Sequence, residues 1–475
     1  MLTLECLLAV ENDPAILTFR CSNTGALLWP LIRNEFLRQL ISDLYYRNAP
    51  LVTPQPAPPR RKAAKTVAQS LLHNFKRRSL RGDVLVMRSG AGHFQRDGLW
   101  FNRITDYLVG ASPAETVTVE GVVNWHLPEP HWNPRVTYWL PWQGAITASG
   151  LLLRRARHIK AAQEVIEFAR QRARDQLDLH MSDASVAMLV QMLARRIARM
   201  PTVHYVYRRL LENVRPRLVL LDQACYGHHS PFNQIAREMN IRVAEPQHGM
   251  VSAGHDAYCH APALLENRDY QDCFPHDFLG YGDWWNQQIN APVRKWVIGN
   301  PHYSEQRQRM EAAPAEQNDV LLLGDGIEFN LYLDLAQTLE KLLPKTYRIV
   351  LRPHPLERAV VFQRYPEARV GGVHIDTNPD IYMSFLGAKV VAGEVSTGLF
   401  EAMGLAGRVL LWQTEKARFA YPLHPFTGFT DAQDFVRILR EVGAERAHGQ
   451  ETEIWASDWV KNYRAYLDLA LQEGV

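Results

Sequence analysis

Between residues 319 and 413, short apolar runs alternate with helical segments, and this alternation constrains the fold more than any other feature. DVLLLGDG (319–326), YRIVLRPHP (347–355), VHID (373–376), AKVVAGE (388–394) and RVLLWQ (408–413) read as strands. LYLDLAQTLEKLL (331–343), NPDIYMSFLG (378–387) and STGLFEAMGLAG (396–407) read as the helices between them. Strands separated by helices form parallel sheets, so this is a Rossmann-like unit. An earlier set repeats the pattern: DVLVMRSG (83–90), ETVTVEGVV (115–123), VTYWLPW (136–142), PRLVLLD (216–222) and IRVAEPQ (241–247) as strands, with helical regions at about 150–178 and 185–213.

The expected class is therefore α/β, with two Rossmann-like domains facing a cleft. Residues 1–277 form the first domain, with helical insertions. Its first 60 residues hold a helix in LLWPLIRNEFLRQLISDLYYR and a proline-rich linker, APLVTPQPAPPR (49–60). Residues 278–452 form the second domain, and FLGYGDWWNQQI (278–289) with KWVIGNP (295–301) reads as the junction into it. Residues 453–475 form a closing helix.

A chain of 475 residues with 47% hydrophobic and 22% charged residues builds such cores without staples. Five scattered cysteines with no CxxC pair exclude a disulfide framework and a zinc ribbon, and suit a reducing, cytoplasmic compartment. The N-terminus carries Glu5, Glu11 and Asp13 and no basic leader, so no signal peptide is expected, and no apolar run is long enough to span a bilayer. A net charge of +3 is too small to imply nucleic acid. One stretch is locally basic: residues 60–81 hold eight Lys or Arg and no acid, interleaved with Val67, Leu71, Leu72 and Phe75. It reads either as a solvated surface helix or as a peripheral contact with an anionic membrane, at the inner face of the inner membrane.

Ligands of open α/β sheets bind beyond the carboxyl ends of the strands. Several polar segments lie there. In EPQHGM, Glu245, Gln247, His248 and Gly249 close a strand, and a histidine that is neutral near pH 7 is a natural general base. In RPHP, two prolines turn the chain out of the sheet and put Arg352, His354 and Pro355 at the cleft edge, where both cationic side chains suit an anion. Glu394, Ser396 and Thr397 lie between a strand and a helix, whose free N–H groups suit a phosphate. An ordinary N-cap accounts for the two hydroxyls taken alone; the neighbouring RPHP favours the phosphate. Glu401 suits a ribose or plain solvent. Asp325 and Gly326 form a close turn, and Asn300 lies in a second one. Five histidines in residues 228–260 lack metal-ligand spacing, so no metal and no cofactor is expected.

QHG in the first domain, with RPHP and Ser396-Thr397 in the second, resembles bacterial GT-B glycosyltransferases of capsule and O-antigen polysaccharide synthesis, in particular CMP-sialic acid and CMP-Kdo users with their HP and Ser-Ser/Thr motifs. The likeness covers about residues 215–415. It implies His354 and Pro355 as the HP motif near the donor phosphate, Ser396 and Thr397 as phosphate-binding hydroxyls, and His248 in the place of the catalytic base. The departure is that sialyltransferases carry an acidic D/E-D/E-G motif where this chain has QHG; Asp325-Gly326 resembles that motif but lies in the second domain. The implied reaction is transfer of a 2-keto acid sugar from a CMP-linked donor to a saccharide or lipid-linked acceptor, without a metal. The competing readings are a CDP-polyol phosphotransferase, since teichoic acid enzymes share the strand-end HG and RxH, and a non-catalytic protein that binds nucleotide sugars during polysaccharide assembly.

Overall fold

The computed structural model describes residues 2–45, 58–76, 81–311, 318–369, 371–441 and 451–472. Two parallel sheets organise it, as expected for the α/β class with two Rossmann-like units. The first holds seven strands: β1 (Val84–Arg88), β4 (Thr116–Glu120), β5 (Val136–Tyr138), β6 (Leu218–Leu221), β7 (Arg242–Pro246), β8 (Asp277–Gly280) and β9 (Arg294–Val297), in the order β5-β4-β1-β6-β7-β8-β9. The second holds six: β10 (Asp319–Leu323), β11 (Arg348–Arg352), β12 (His374–Ile375), β13 (Ala388–Gly393), β14 (Arg408–Trp412) and β15 (Thr427–Phe429), in the order β12-β11-β10-β13-β14-β15. Both begin with the doubly wound order 3-2-1-4, so each reverses direction between its first and fourth strands, and a crevice opens there. The reversal falls between β1 and β6 in the first sheet and between β10 and β13 in the second. Central strands such as β1 and β10 are buried at every residue, because helices cover both faces. A hairpin of β2 (His93–Arg96) and β3 (Leu99–Asn102) turns through Asp97-Gly98, both at positive φ, which suits the twist of a two-residue loop.

The structure moves several boundaries. The division at 277/278 falls inside β8, and residues 277–297 complete the first sheet rather than bridging to the second. The run 136–142 is a strand only to Tyr138; Pro141 lies in the first turn of a helix, Leu140–Leu152, where a missing N–H costs nothing. The closing segment is two helices, Glu451–Ile454 and Trp459–Gln472. The second of these returns to the first domain, where Tyr463, Tyr466, Leu467 and Ala470 pack with Val84, Val86, Leu218, Leu220 and Leu279. The helix expected over 396–407 is short, Gly398–Ala402. Most of the proline-rich linker lies outside the described residues, as do Arg77 and Arg78 of the basic stretch.

The N-terminal segment is part of the core, not an appendage. Glu11, fully buried, accepts hydrogen bonds from Trp29 Nε1 (2.8 Å) and from Arg33 Nε (2.6 Å) and Nη2 (2.7 Å), and Arg33 Nη2 also donates to Cys259 O (2.6 Å). The two domains meet over a continuous apolar core that includes Trp285 and Tyr303 from one side and Leu323, Phe400 and Phe419 from the other. Ser252 Oγ donates to Ala420 O (2.6 Å) and Tyr303 OH to Met403 O (2.9 Å) across it.

Candidate functional site

The chain leaves β7 at Pro246, which cannot extend a ladder, and Gln247 fixes the turn that follows. Its N–H donates to Leu279 O (3.0 Å), its Oε1 accepts from Tyr281 N (2.8 Å), and its Nε2 donates to Gly249 O (2.9 Å). Gln247 is buried, and its work is to aim the next side chain. His248 sits with Nδ1 3.5 Å from Glu245 Oε1 and 3.7 Å from Asp222 Oδ1. Glu245 is itself fixed, accepting from Tyr258 OH (2.6 Å) and Cys225 N (2.6 Å). Asp222, which ends β6, accepts from Ser89 Oγ (2.7 Å). Burial works against the imidazolium, but the adjacent carboxylates of Glu245 and Asp222 outweigh it and raise the His248 pKa. With both carboxylates on the Nδ1 side, Nε2 is the nitrogen left for chemistry.

His248 lines a narrow cavity of about 30 Å³ between the domains. Gly249, Asn300, Thr397 and Glu401 line it too, so five of the residues singled out in the sequence come together. A methyl group on Gly249 would meet no atom within 4 Å, which leaves open space beside the imidazole. Thr397 caps the helix Gly398–Ala402 and Glu401 lies one turn on, so both reach the same side. Burial raises the Glu401 pKa, with Arg103 and Tyr382 working the other way. Arg103, Tyr281, His302 and Tyr382 add polar groups to the lining, with Ile104, Trp285 and Trp455 as its apolar part, and none of these was singled out in the sequence. Tyr281 and Arg103 each directly follow a strand, the signal that marked the others, but the short hairpin strand before Arg103 was not read from the sequence.

A second group surrounds the crevice between β10 and β13. Asp325 Oδ1 accepts from the N–H groups of Ile327 (2.9 Å) and Glu328 (3.1 Å). Its other oxygen binds Lys416, whose ammonium also pairs with Glu394 (2.7 Å) and Glu328 (2.9 Å). Three carboxylates close enough to hold a cation thus surround a lysine. Lys416 is absent from the sequence reading because TEKARFA resembles an exposed helix, yet its side chain is buried. Gly326, at φ +82°, packs on the His354 ring; a methyl group there would lie 2.8 Å from Nδ1. Burial lowers the His354 pKa, so the ring is neutral near pH 7. Pro355 opens the short helix Pro355–Arg358.

Arg352 and Ser396 are engaged within the protein. Arg352 is 2% exposed, and its Nη1 donates to Asp376 Oδ2 (2.6 Å) and Ser384 Oγ (2.8 Å), beside the end of β12 instead of at the cleft edge. The turn at Pro353 does leave the sheet, but the guanidinium belongs to the last strand residue and stays within it. Ser396 Oγ accepts from Gly398 N (3.1 Å) in a local serine turn just ahead of the N-cap residue Thr397.

No family model matches the chain, and no curated protein matches it. Among solved structures, it is similar to a UDP-N-acetylglucosamine 2-epimerase (TM-score 0.44, 10% identity, covering 82% of this chain and 95% of that one). It is likewise similar to Acinetobacter baumannii MurG (0.44, 9%, 82% and 100%). The wall teichoic acid polymerase TagF gives 0.41 and 13%, covering 87% of this chain and 96% of that one.

Proposed function

We propose that the chain is a nucleotide-sugar-dependent glycosyltransferase of GT-B type, with His248 as general base. The supporting observation is the placement of His248: backed by Asp222 and Glu245 on one domain, facing Thr397 and Glu401 on the other. In the proposed step, Nε2 takes the proton of an acceptor hydroxyl. The oxygen forms a bond to the anomeric carbon, and the bond from that carbon to the donor phosphate breaks, its electron pair leaving with the nucleotide. A CMP-linked donor of a 2-keto acid sugar is the form carried over from the sequence motifs. His354 and the Thr397 hydroxyl are the donors this reading assigns to the phosphate; Arg352 is held through Nη1 by Asp376. A pocket for such a ligand needs about 300–1,000 Å³, so the domains part to admit it.

Thermal melting with CMP, CDP, UDP and GDP tests this reading. A nucleotide at about a hundred times its Kd stabilises by about 2.7 kcal/mol. Stabilisation by CMP that survives His248→Ala, together with loss of transfer in that variant, supports a CMP-sugar transferase. Release of a polyol phosphate from a CDP-linked donor would replace it with the phosphotransferase, nucleotide binding without any transfer would leave the assembly protein, and no nucleotide effect would overturn the nucleotide-sugar reading.

A peripheral membrane contact fits the same reading. On the helix Arg60–Lys76, Leu72 is 62% and Phe75 67% exposed among basic residues, and the adjoining helix Leu140–Leu152 has no charged residue, with Leu152 82% exposed. Among the described residues, no helix is long and apolar enough to cross a membrane. Apolar side chains ringed by cations suit the surface of an anionic bilayer. Flotation with phosphatidylglycerol vesicles that is unchanged in the double variant Leu72→Asp, Leu152→Asp would remove this contact.

A further inference from the structure

The crevice of the first sheet holds a cavity of about 320 Å³ that the chemistry above does not use. It opens beyond β1 and β6, at the reversal of strand order, where sheets of this kind bind ligands. One wall is a single face of the helix Asp183–Val214: Arg196, Arg199, Met200, Val203 and Tyr207 recur at helical spacing. Trp139 lies parallel to Tyr207, ring centroids 5.7 Å apart, and adds a flat aromatic wall. The opposite side is polar, with Asp222, His228 and His229.

Three arginines and one acid line this cavity, and the arginines are met unequally: Arg88 pairs with Asp106 (2.6 Å) and Glu120 (2.5 Å). Arg196 donates to Glu35 Oε1 (2.5 Å) and to Leu31 O, so its charge is met. Arg199, four residues from the facing Val203, has no carboxylate within ion-pair distance among the described residues; Glu35, whose field reaches it, is already held by Arg196. Burial, with the neighbouring Arg196, lowers its pKa. His229 Nδ1 is buried without a hydrogen-bond partner. The His228 ring lies 4.1 Å from that of His229, and burial brings the His228 pKa down to about 3, so it is a neutral donor or acceptor at pH 7. A half-desolvated guanidinium and an orphaned ring nitrogen are costly to leave unmatched.

From this geometry we infer that the cavity binds the acceptor through a negatively charged group, a carboxylate or a phosphate, on a sugar. The inference rests on the transferase reading only in the word acceptor. The volume is at the lower end for small-molecule pockets, about 300 Å³, which suits one sugar residue. The aromatic wall takes an apolar sugar face, and Arg199 takes the anion. Asp222 repels that anion and accepts a hydroxyl instead. The ligand is thus ordered with its charge at Arg199 and a hydroxyl at Asp222.

Calorimetric titration of the whole chain, with and without CMP, tests this with matched probes: 4-nitrophenyl β-glucuronide against the β-glucoside, and glucose 6-phosphate against glucose. The expected result is that the charged member of one pair binds at least about tenfold tighter, about 1.4 kcal/mol. Arg199→Gln should remove the preference and Arg199→Lys retain part of it, with CMP binding and melting temperature unchanged. The pair that shows the preference identifies carboxylate or phosphate. Equal binding of charged and neutral probes, no binding of any, or a preference that survives Arg199→Gln overturns the inference. Failure of CMP to bind overturns the donor reading alone, because the anion preference is read without it.

Discussion

The two crevices are built on the same strand order and are furnished in opposite ways. At the first sheet, Arg199 has no carboxylate within ion-pair distance among the described residues, and Asp222 lies across the cavity from it. In the second, Lys416 is enclosed by Asp325, Glu328 and Glu394. A cation without partners waits for an anion from outside; a cation with three partners already serves as its own ligand. On the proposed reading, the first crevice is ready for an anionic substrate, and the second must rearrange before it takes a nucleotide.

This contrast is open to being broken. Lys416→Met should be the most damaging change, because it leaves three carboxylates crowded and unpaired. Removing one partner of a buried ion pair costs about 3–5 kcal/mol, and urea unfolding measures it. Loss of under 1 kcal/mol would mean the cluster is not a closed network. His248→Gln should lower turnover by about 10²–10⁴ without changing nucleotide affinity, and an unchanged rate would take the base away from the first sheet. Gly254→Ala should loosen the contact between the domains, because a methyl group there runs into the carbonyl oxygens of Phe419 and Ala420. Overpacking of this kind costs about 1–3 kcal/mol, seen as a lower melting temperature.

The smallest effect is on pH dependence. His248 acts as a base only when neutral, and its pKa is raised, so the rate should climb as pH rises through a value above that of an unperturbed histidine. Asp222→Asn removes one of the two carboxylates that favour the imidazolium, so the same climb should begin at lower pH. A pH–rate profile of the variant that does not move would show that Asp222 serves only the cavity and not the base.

Much of this was legible in the sequence, and the failures have physical causes. Apolar runs with helical spacers between them carry the parallel sheets, and polar residues just after a strand gather at one edge by topology alone. That is why His248, Asn300, Thr397 and Glu401 meet, although they are up to 153 positions apart. Side-chain direction does not follow from this rule. Arg352 ends its strand as expected and then binds Asp376 inside the protein. Asp222 was within reach, since it closes the run LVLLD beside the histidine strand. Arg199 and Lys416 were not: each sits in a helix whose charged residues look solvated until tertiary packing covers them. The boundary at 277/278 misled because β8 and β9 are short and follow aromatic loops, so they resembled a connection between domains.

The return of helix Trp459–Gln472 to the first sheet has a consequence for biosynthesis. Tyr466 and Leu467 join Leu108 and Ala111 in covering Val84 and Val86 of β1 and Leu218 and Leu220 of β6. Translation supplies β1 first and this helix after the whole second domain. The first domain therefore stays unsealed, with apolar surface uncovered, while residues 298–458 leave the ribosome. The order of synthesis is not the order of completion.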